Sequence, residues 1–337
     1  LRKVYEDTEE SELEVQAAKR HLSWLIGCAF GRWQDQVQSV QSDDIYAELP
    51  EQPPAFNRAS SKNALEQTGV ADLDSSNSLI QALYAIADPD LSEKCLALVG
   101  ANNWENYLNR TSQFFSAHYD QYSQNRRYTP IYWPLQSASG SYTLWVYYHR
   151  LNKQTLYTCV NDFLDGPTGK LTQVEQDLNT LKNLGTRSTQ EEKDLTQLTD
   201  FAAELKDFRD ELLRLAKFWK PNLNDGVQIT AAPLWKLFQH NAWQKKLKET
   251  WEKLEEGDYD WAHLACSIWP ERVLRKCHQD RSLAIAHDVE DIFWHKVEVP
   301  VKRGKKITGE MKTEWQPKSL TAAELTELIN QTITNLK

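Results

Sequence analysis

Between residues 8 and 33 the apolar positions recur at helical spacing. Leu13, Ala17, Leu22, Leu25, Ile26, Ala29 and Phe30 form one broad face, the pattern of a helix that buries a single side. The run ends in Gly27-Cys28-Ala29-Phe30-Gly31-Arg32-Trp33. Glycines four apart on a helix predict close approach of another backbone, and Gly31 can also end the helix. Over 34–78 the periodicity is lost. Pro50, Pro53 and Pro54 and a Ser/Asn-rich patch predict a long irregular connection there. Helical spacing returns over 77–124 through Leu79, Leu83, Leu96, Trp104, Phe114 and Tyr119, broken at Asp88-Pro89-Asp90.

The period changes to two after Arg126-Arg127. Ile131, Trp133 and Leu135 share one face, as do Tyr142, Leu144, Val146 and Tyr148, while Thr143, Trp145, Tyr147 and His149 lie opposite. A Ser/Gly turn separates the two runs. Both faces are largely apolar, so this aromatic hairpin is expected to be buried or covered. Pro130 and Pro134 lack a donor and suit an edge strand. A short helix over 152–165 follows, closed by Gly166-Pro167.

From 168 to 220 the apolar positions fall into heptads. Leu171, Val174, Leu178 and Leu181 are followed, after a turn at Gly185, by Leu198, Phe201, Leu205, Phe208, Leu212, Leu215 and Trp219. Ser188 and Glu191 have the spacing of a capping box for the second helix. The pattern predicts an antiparallel coiled-coil hairpin projecting from the body as a spacer, with partner docking as its minority role. Beyond the corner at 221–226, helices are predicted from Leu234, from near Asp260 and from Pro270. Strands follow over 292–315 around Lys302-Arg303-Gly304-Lys305-Lys306, and Thr321 with Glu324 caps a last helix. The expected fold is mainly α with small antiparallel β elements (α+β). Its segments are 1–125 (helical, with the connection at 34–78), 126–167 (aromatic hairpin plus helix), 168–220 (coiled-coil hairpin) and 221–337 (C-terminal helices with a late β-hairpin). No internal repeat has a solenoid period.

Composition narrows the functional classes. With 40% apolar and 26% charged residues the chain can build a sizeable core. Thirteen Trp and thirteen Tyr weight that core toward aromatic clusters. A net charge of −9 argues against nucleic-acid binding by bulk charge and leaves room for a local basic patch. The five cysteines are scattered and form no Cys-x-x-Cys pair, which fits a reducing cytoplasm. No apolar run reaches the roughly 18 residues of a membrane span, so no membrane partner is expected. The chain starts at Leu1 and its one methionine is Met311, which suggests a piece of a longer polypeptide.

No catalytic, cofactor-binding or metal-binding residue emerges. Phosphate-loop, dinucleotide-binding and Gly-x-Ser-x-Gly motifs are absent from the sequence. Cys266, Cys277 and His278 have no recognised zinc spacing, so each histidine is expected to be structural. Two basic features remain as candidate DNA contacts. One is Arg126 and Arg127, with Tyr128 beside them. The other is Lys302, Arg303, Lys305 and Lys306, four cations around a glycine at the tip of the late hairpin, suited to successive phosphates.

Several short blocks resemble one family, in its order. They are Ser23 to Trp33, Thr129 to Pro134 (Thr-Pro-Ile-Tyr-Trp-Pro), Trp145 to Asn152, Thr155 to Tyr157, Asn224 to Leu234, Tyr259 to Ala265 and Trp269 to Val273. Together they resemble the region beyond the catalytic domain in large adenine-specific DNA methyltransferases. Those enzymes belong to bacteriophage-exclusion (BREX) and phage-growth-limitation systems and to fused restriction-modification enzymes. The resemblance implies a parent enzyme that moves a methyl group from S-adenosylmethionine to adenine N6 in double-stranded DNA. The family's Asn/Asp-Pro-Pro-Tyr/Phe signature is missing: the sole Pro-Pro is Pro53-Pro54, between Gln52 and Ala55. The chain is therefore expected to be a non-catalytic C-terminal portion with no cofactor of its own, supporting DNA binding or domain orientation. The alternative is a protein-interaction module for other defence-system subunits.

Overall fold

The computed structural model describes residues 2–33, 64–74, 78–109, 113–124, 127–303 and 306–336. The fold is mainly α with small antiparallel sheets, as the periodicity predicts. It divides into two compact units. The first holds residues 1–217 and 233–247, the second 218–232 and 248–337. The predicted segments 1–125 and 126–167 lie wholly in the first unit, together with 168–217.

The first unit opens with α1 (Arg2–Ala29), followed by α2 (Ala64–Thr68), β1 (Val70–Ala71), α3 (Leu79–Ile86), α4 (Pro89–Leu98), α5 (Trp104–Leu108) and α6 (Gln113–Gln121). Caps explain the breaks. Ser78, Asp88 and Asn103 each accept a hydrogen bond from a first-turn backbone N–H of α3, α4 and α5, supplying acceptors the helix itself lacks. Pro89 sits in the first turn of α4, where its missing donor is harmless. Gly31, at φ 67°, ends α1. The close approach at Gly27 comes from side chains rather than a backbone: an added Cβ would lie 2.7 Å from the Trp33 indole nitrogen and 3.0 Å from the Tyr132 hydroxyl.

The aromatic hairpin forms as β4 (Tyr132–Gln136) and β5 (Thr143–Tyr147), in the register Tyr132↔Tyr147 to Gln136↔Thr143. All ten of these residues are buried. The strand order β1-β5-β4 puts Pro134 on an edge strand, where no ladder donor is lost. The partner on the other side of β5 corrects the sequence reading. Val70 and Ala71, within the stretch predicted to be irregular, pair with Val146 and Trp145. The entry to the hairpin is also different. β2 (Ser123–Gln124) and β3 (Arg127–Tyr128) make a separate two-residue pair, with Arg127 opposite Gln124, so Arg127 does not begin the aromatic strand. Phe114 meets Trp145 at 5.4 Å and Phe30 meets Tyr132 at 5.5 Å between ring centroids, which fills the core with tilted and stacked rings.

His118 on α6 fixes the start of β4. Its Nε2 accepts hydrogen bonds from the Ile131 and Tyr132 backbone N–H groups at 2.9 and 3.3 Å. Burial, with the Arg32 charge adding to it, pushes its pKa down to about 3, so the ring is neutral and carries its proton on Nδ1.

After α7 (Thr155–Phe163) come α8 (Lys170–Lys182) and α9 (Thr189–Ala216), the predicted helical hairpin. The Ser188–Glu191 capping box forms. The seam is closed at Leu171, Val174, Leu178, Leu205, Phe208 and Leu212, all buried. It opens toward the turn, where Leu181, Leu198 and Phe201 are half-buried and Leu184 is exposed. The projecting hairpin is fastened to the body at its proximal end. Phe208 packs edge-on against Tyr142, Glu204 accepts from the Ser139 N–H at 2.8 Å, and Lys170 pairs with Asp74 at 2.7 Å. Only the distal end projects.

The second unit contains α10 (Val227–Ala231), the later part of α11 (Asn241–Glu256), α12 (His263–Ile268), α13 (Pro270–Cys277), α14 (Arg281–Ala286), α15 (Glu290–Phe293), β6 (Trp294–Arg303), β7 (Lys306–Pro317) and α16 (Ala322–Leu336). Two buried carboxylates organise it. Asp225 caps α12 by accepting from the His263 and Leu264 N–H groups at 2.8 Å each. Asp260 pairs with Arg272 and Lys276, both at 2.6 Å. Arg272 also donates to the Leu254 and Glu255 carbonyls at 2.8 Å, in the last turn of α11 where helical donors run out. The charges of this cluster are thus paired and hydrogen-bonded, the condition for burying them.

Candidate nucleic-acid interface

β6 and β7 form a two-stranded ribbon, paired from Trp294↔Pro317 at the base to Arg303↔Lys306 at the tip. At about 3.3 Å per residue, strands of ten and twelve residues reach roughly 30 Å. The base is fastened to helical neighbours. Trp294 Nε1 donates to the Cys277 carbonyl, Lys318 N to the Phe293 carbonyl and Lys318 Nζ to the Asp291 carbonyl, each at 2.8 Å. The Trp315 ring receives two cations, Arg281 at 4.7 Å and Lys296 at 5.1 Å, and Arg281 is itself held by Glu290 at 2.5 Å. A register shift between Pro300 and Lys302 interrupts the ladder just below the tip. Proline supplies no donor at that point, and a bulge there adds twist.

The strand period separates two faces. Lys296, Glu298 and Pro300 lie opposite Trp315, Thr313 and Met311 on one of them. His295, Val297 and Val299 lie opposite Gln316, Glu314 and Lys312 on the other. Met311 is 57% exposed, so this strand buries little. Lys312 and Glu314 pair at 2.6 Å along their face. Residues 294–318 carry seven Lys and Arg against three Glu, a local cation excess in a chain of net charge −9. Lys296, Lys312 and Lys318 belong to that excess although they lie outside the basic tip; counting charge along the whole strand pair is the signal that finds them.

Lys302, Arg303 and Lys306 are placed together on adjoining strand ends, Lys302 opposite Ile307 and Arg303 opposite Lys306. Their side chains lie outside the described residues, as does Lys305. Arg127 lies in the first unit on β3, and Arg126 is outside the described residues. Tyr128 is occupied. It stacks on Tyr119 at 5.5 Å and 12°, with Lys246 Nζ 5.6 Å from its ring, so its ring is part of local packing.

The structure offers little for covalent or metal chemistry. Among the described residues no three His, Cys, Asp or Glu are grouped to hold a metal ion. His278 is bonded through Nε2 to the Lys318 carbonyl at 2.8 Å and His287 to the Asp260 carbonyl at 2.6 Å, both structural roles. Burial pushes the thiols of Cys159, Cys266 and Cys277 up to about 12, 11 and 12, which keeps them protonated. Among the described residues no helix is long and apolar enough to cross a membrane. No protein-family model matches the chain, and no curated protein matches it.

Proposed function

We propose that this chain is the non-catalytic C-terminal portion of an S-adenosylmethionine-dependent, adenine-specific DNA methyltransferase, and that it grips double-stranded DNA with the β6–β7 ribbon. The observation that carries the reading is the ribbon itself: long, two-stranded, anchored at its base and cation-rich to its tip. A two-stranded ribbon fits the major groove, and clustered cations at its end can neutralise phosphates. The ordered sequence blocks support the choice of parent enzyme. The absence of its Pro-Pro signature supports a division of labour in which cofactor and catalysis lie upstream. The setting we assign is the cytoplasm of a bacterium with an anti-phage or restriction-modification system.

Charge reversal of Lys302, Arg303, Lys305 and Lys306 tests the grip: duplex affinity falls and its salt dependence flattens. Unchanged affinity contradicts it. An Asn-Pro-Pro-Tyr type motif in the polypeptide before Leu1 tests the parentage, and its absence contradicts it.

A second reading, docking of other defence-system proteins on the helical hairpin, is favoured by the open distal seam. Leu181, Leu198 and Phe201 line a groove there with Asp177, Asp194 and Asp200. Under that reading Leu198→Ser with Phe201→Ser abolishes a partner complex, while reversing the ribbon charges leaves it intact.

A further inference from the structure

The distal part of the α8–α9 hairpin leaves an open groove of about 930 Å³ along the seam. Its floor is apolar and accessible. Leu181 on α8 and Leu198 and Phe201 on α9 are half-buried, whereas Leu205, Phe208 and Leu212 close the seam nearer the body. On α9 the lining residues Asp194, Gln197, Leu198, Phe201 and Glu204 follow one another at helical spacing, so they form one stripe of the helix. At 1.5 Å per residue this stripe is about 15 Å long, nearly three turns. The rim is acidic on both walls: Asp177 stands on α8, and Asp194 and Asp200 on α9. Among the described residues no cation pairs with any of these three carboxylates. Lys170, Lys206 and Arg209 on the same two helices are already taken by Asp74, Glu175 and Asp210.

Two antiparallel helices with an apolar floor between them have the shape that receives a third helix. Side chains three, four and seven apart on that helix fill the floor, and the positions flanking its stripe meet the rim. Carboxylates on both walls select cations at those flanking positions. A second copy of the hairpin would set the same carboxylates against each other, and duplex DNA would set phosphates against them; like charges in contact exclude both. We propose that the groove binds an amphipathic helix of a partner protein with Lys or Arg along both edges of its apolar stripe. This rests on the reading of the hairpin as a docking site and gives that site a partner chemistry.

Fluorescence anisotropy of labelled synthetic peptides with the whole chain tests it. The probe has about three heptads, long enough to form a helix, with Leu at a and d and Lys at e and g. One counterpart carries Glu at e and g, and another has the probe's own residues in scrambled order. The Lys probe binds saturably, and both counterparts bind at least tenfold more weakly. Asp177→Asn, Asp194→Asn and Asp200→Asn together, which keep the apolar floor, weaken the Lys probe by about tenfold, the effect of losing three accessible ion pairs. They also flatten its salt dependence. A Kd for the Lys probe above about 100 µM overturns the proposal. So does equal binding of the scrambled peptide, or binding to the triple variant as tight as to the parent. If the probe fails and Leu198→Ser with Phe201→Ser still abolishes a partner complex, the docking reading stands and the cationic helix is wrong. If the probe succeeds and that complex survives those substitutions, the cationic helix stands and the complex docks elsewhere. Reversing the ribbon charges leaves the titration unchanged, which separates it from the DNA reading.

Discussion

The molecule has two prominent antiparallel strand pairs with opposite fates. In β4–β5 all ten residues are buried, and the rings of Phe30, just beyond α1, and Phe114, on α6, pack on the sheet. In β6–β7 the strands are longer, yet charged residues occur on both faces and Met311 is 57% exposed. The alternation of residue types explains the difference. Apolar side chains on both faces demand cover on both faces: Phe30 and Phe114 meet Tyr132 and Trp145 on one, and Phe238 meets Trp133 on the other. Lys296, Glu298, Lys312 and Glu314 interrupt both faces of the ribbon, and its base packs through Trp294 and Trp315. One pair is core, and the other carries charge on both faces.

The largest expected effect sets one tryptophan against another. Trp145 is fully buried, so Trp145→Ala costs about 3–5 kcal/mol in denaturant unfolding. Trp315 is half-buried and held by two cations over its ring, so Trp315→Ala costs about 1–2 kcal/mol. Equal losses at the two sites break the contrast between core and ribbon.

Acid sharpens it next. His118 has a pKa near 3 in the fold against 6.5 in the unfolded chain. Below pH 6.5 the unfolded state takes up a proton that the fold refuses, so this contribution is complete above pH 6.5 and shrinks as pH falls toward 3. From pH 7 to pH 5 it removes roughly 2 kcal/mol. His118→Gln, which retains an acceptor for Ile131 and Tyr132, has a flatter acid limb in pH-dependent unfolding; an unaltered limb contradicts the assignment.

Smaller effects are expected at the hairpin turn and the ribbon tip. Glu204 accepts from the Ser139 N–H and hydroxyl at 2.8 Å each. Because this contact is exposed, Glu204→Gln shifts stability by less than about 1 kcal/mol. Reversing the four tip charges changes unfolding by no more than about 0.5 kcal/mol. A larger loss shows that the tip is packed and removes it as a free contact surface.

Much of the fold was legible because its signals are local. Heptads gave the helical hairpin, Ser188 and Glu191 gave its cap, and period-two aromatics gave the buried sheet. What escaped depended on distant partners. Val70 and Ala71 are too short to show a period, and only Val146 and Trp145 make them a strand. Arg127 looked like the mouth of the aromatic hairpin, but pairing with Gln124 turns it into a separate element. The closeness at Gly27 was readable, but the Trp33 and Tyr132 side chains that cause it were not. The ribbon tip was legible as clustered charge, and the ribbon's reach followed only from pairing out to Arg303 and Lys306.

The central claim is that the ribbon binds DNA, and the salt dependence of duplex affinity tests it most directly. Each neutralised phosphate contributes about 0.9 to the slope of log affinity against log salt concentration. Fluorescence anisotropy with a labelled duplex, across a salt series, compares the parent chain with the variant reversed at Lys302, Arg303, Lys305 and Lys306. The account predicts weaker binding and a slope shallower by about 0.9 for each phosphate no longer neutralised, up to roughly 3.6. A slope and affinity equal to the parent's would contradict it.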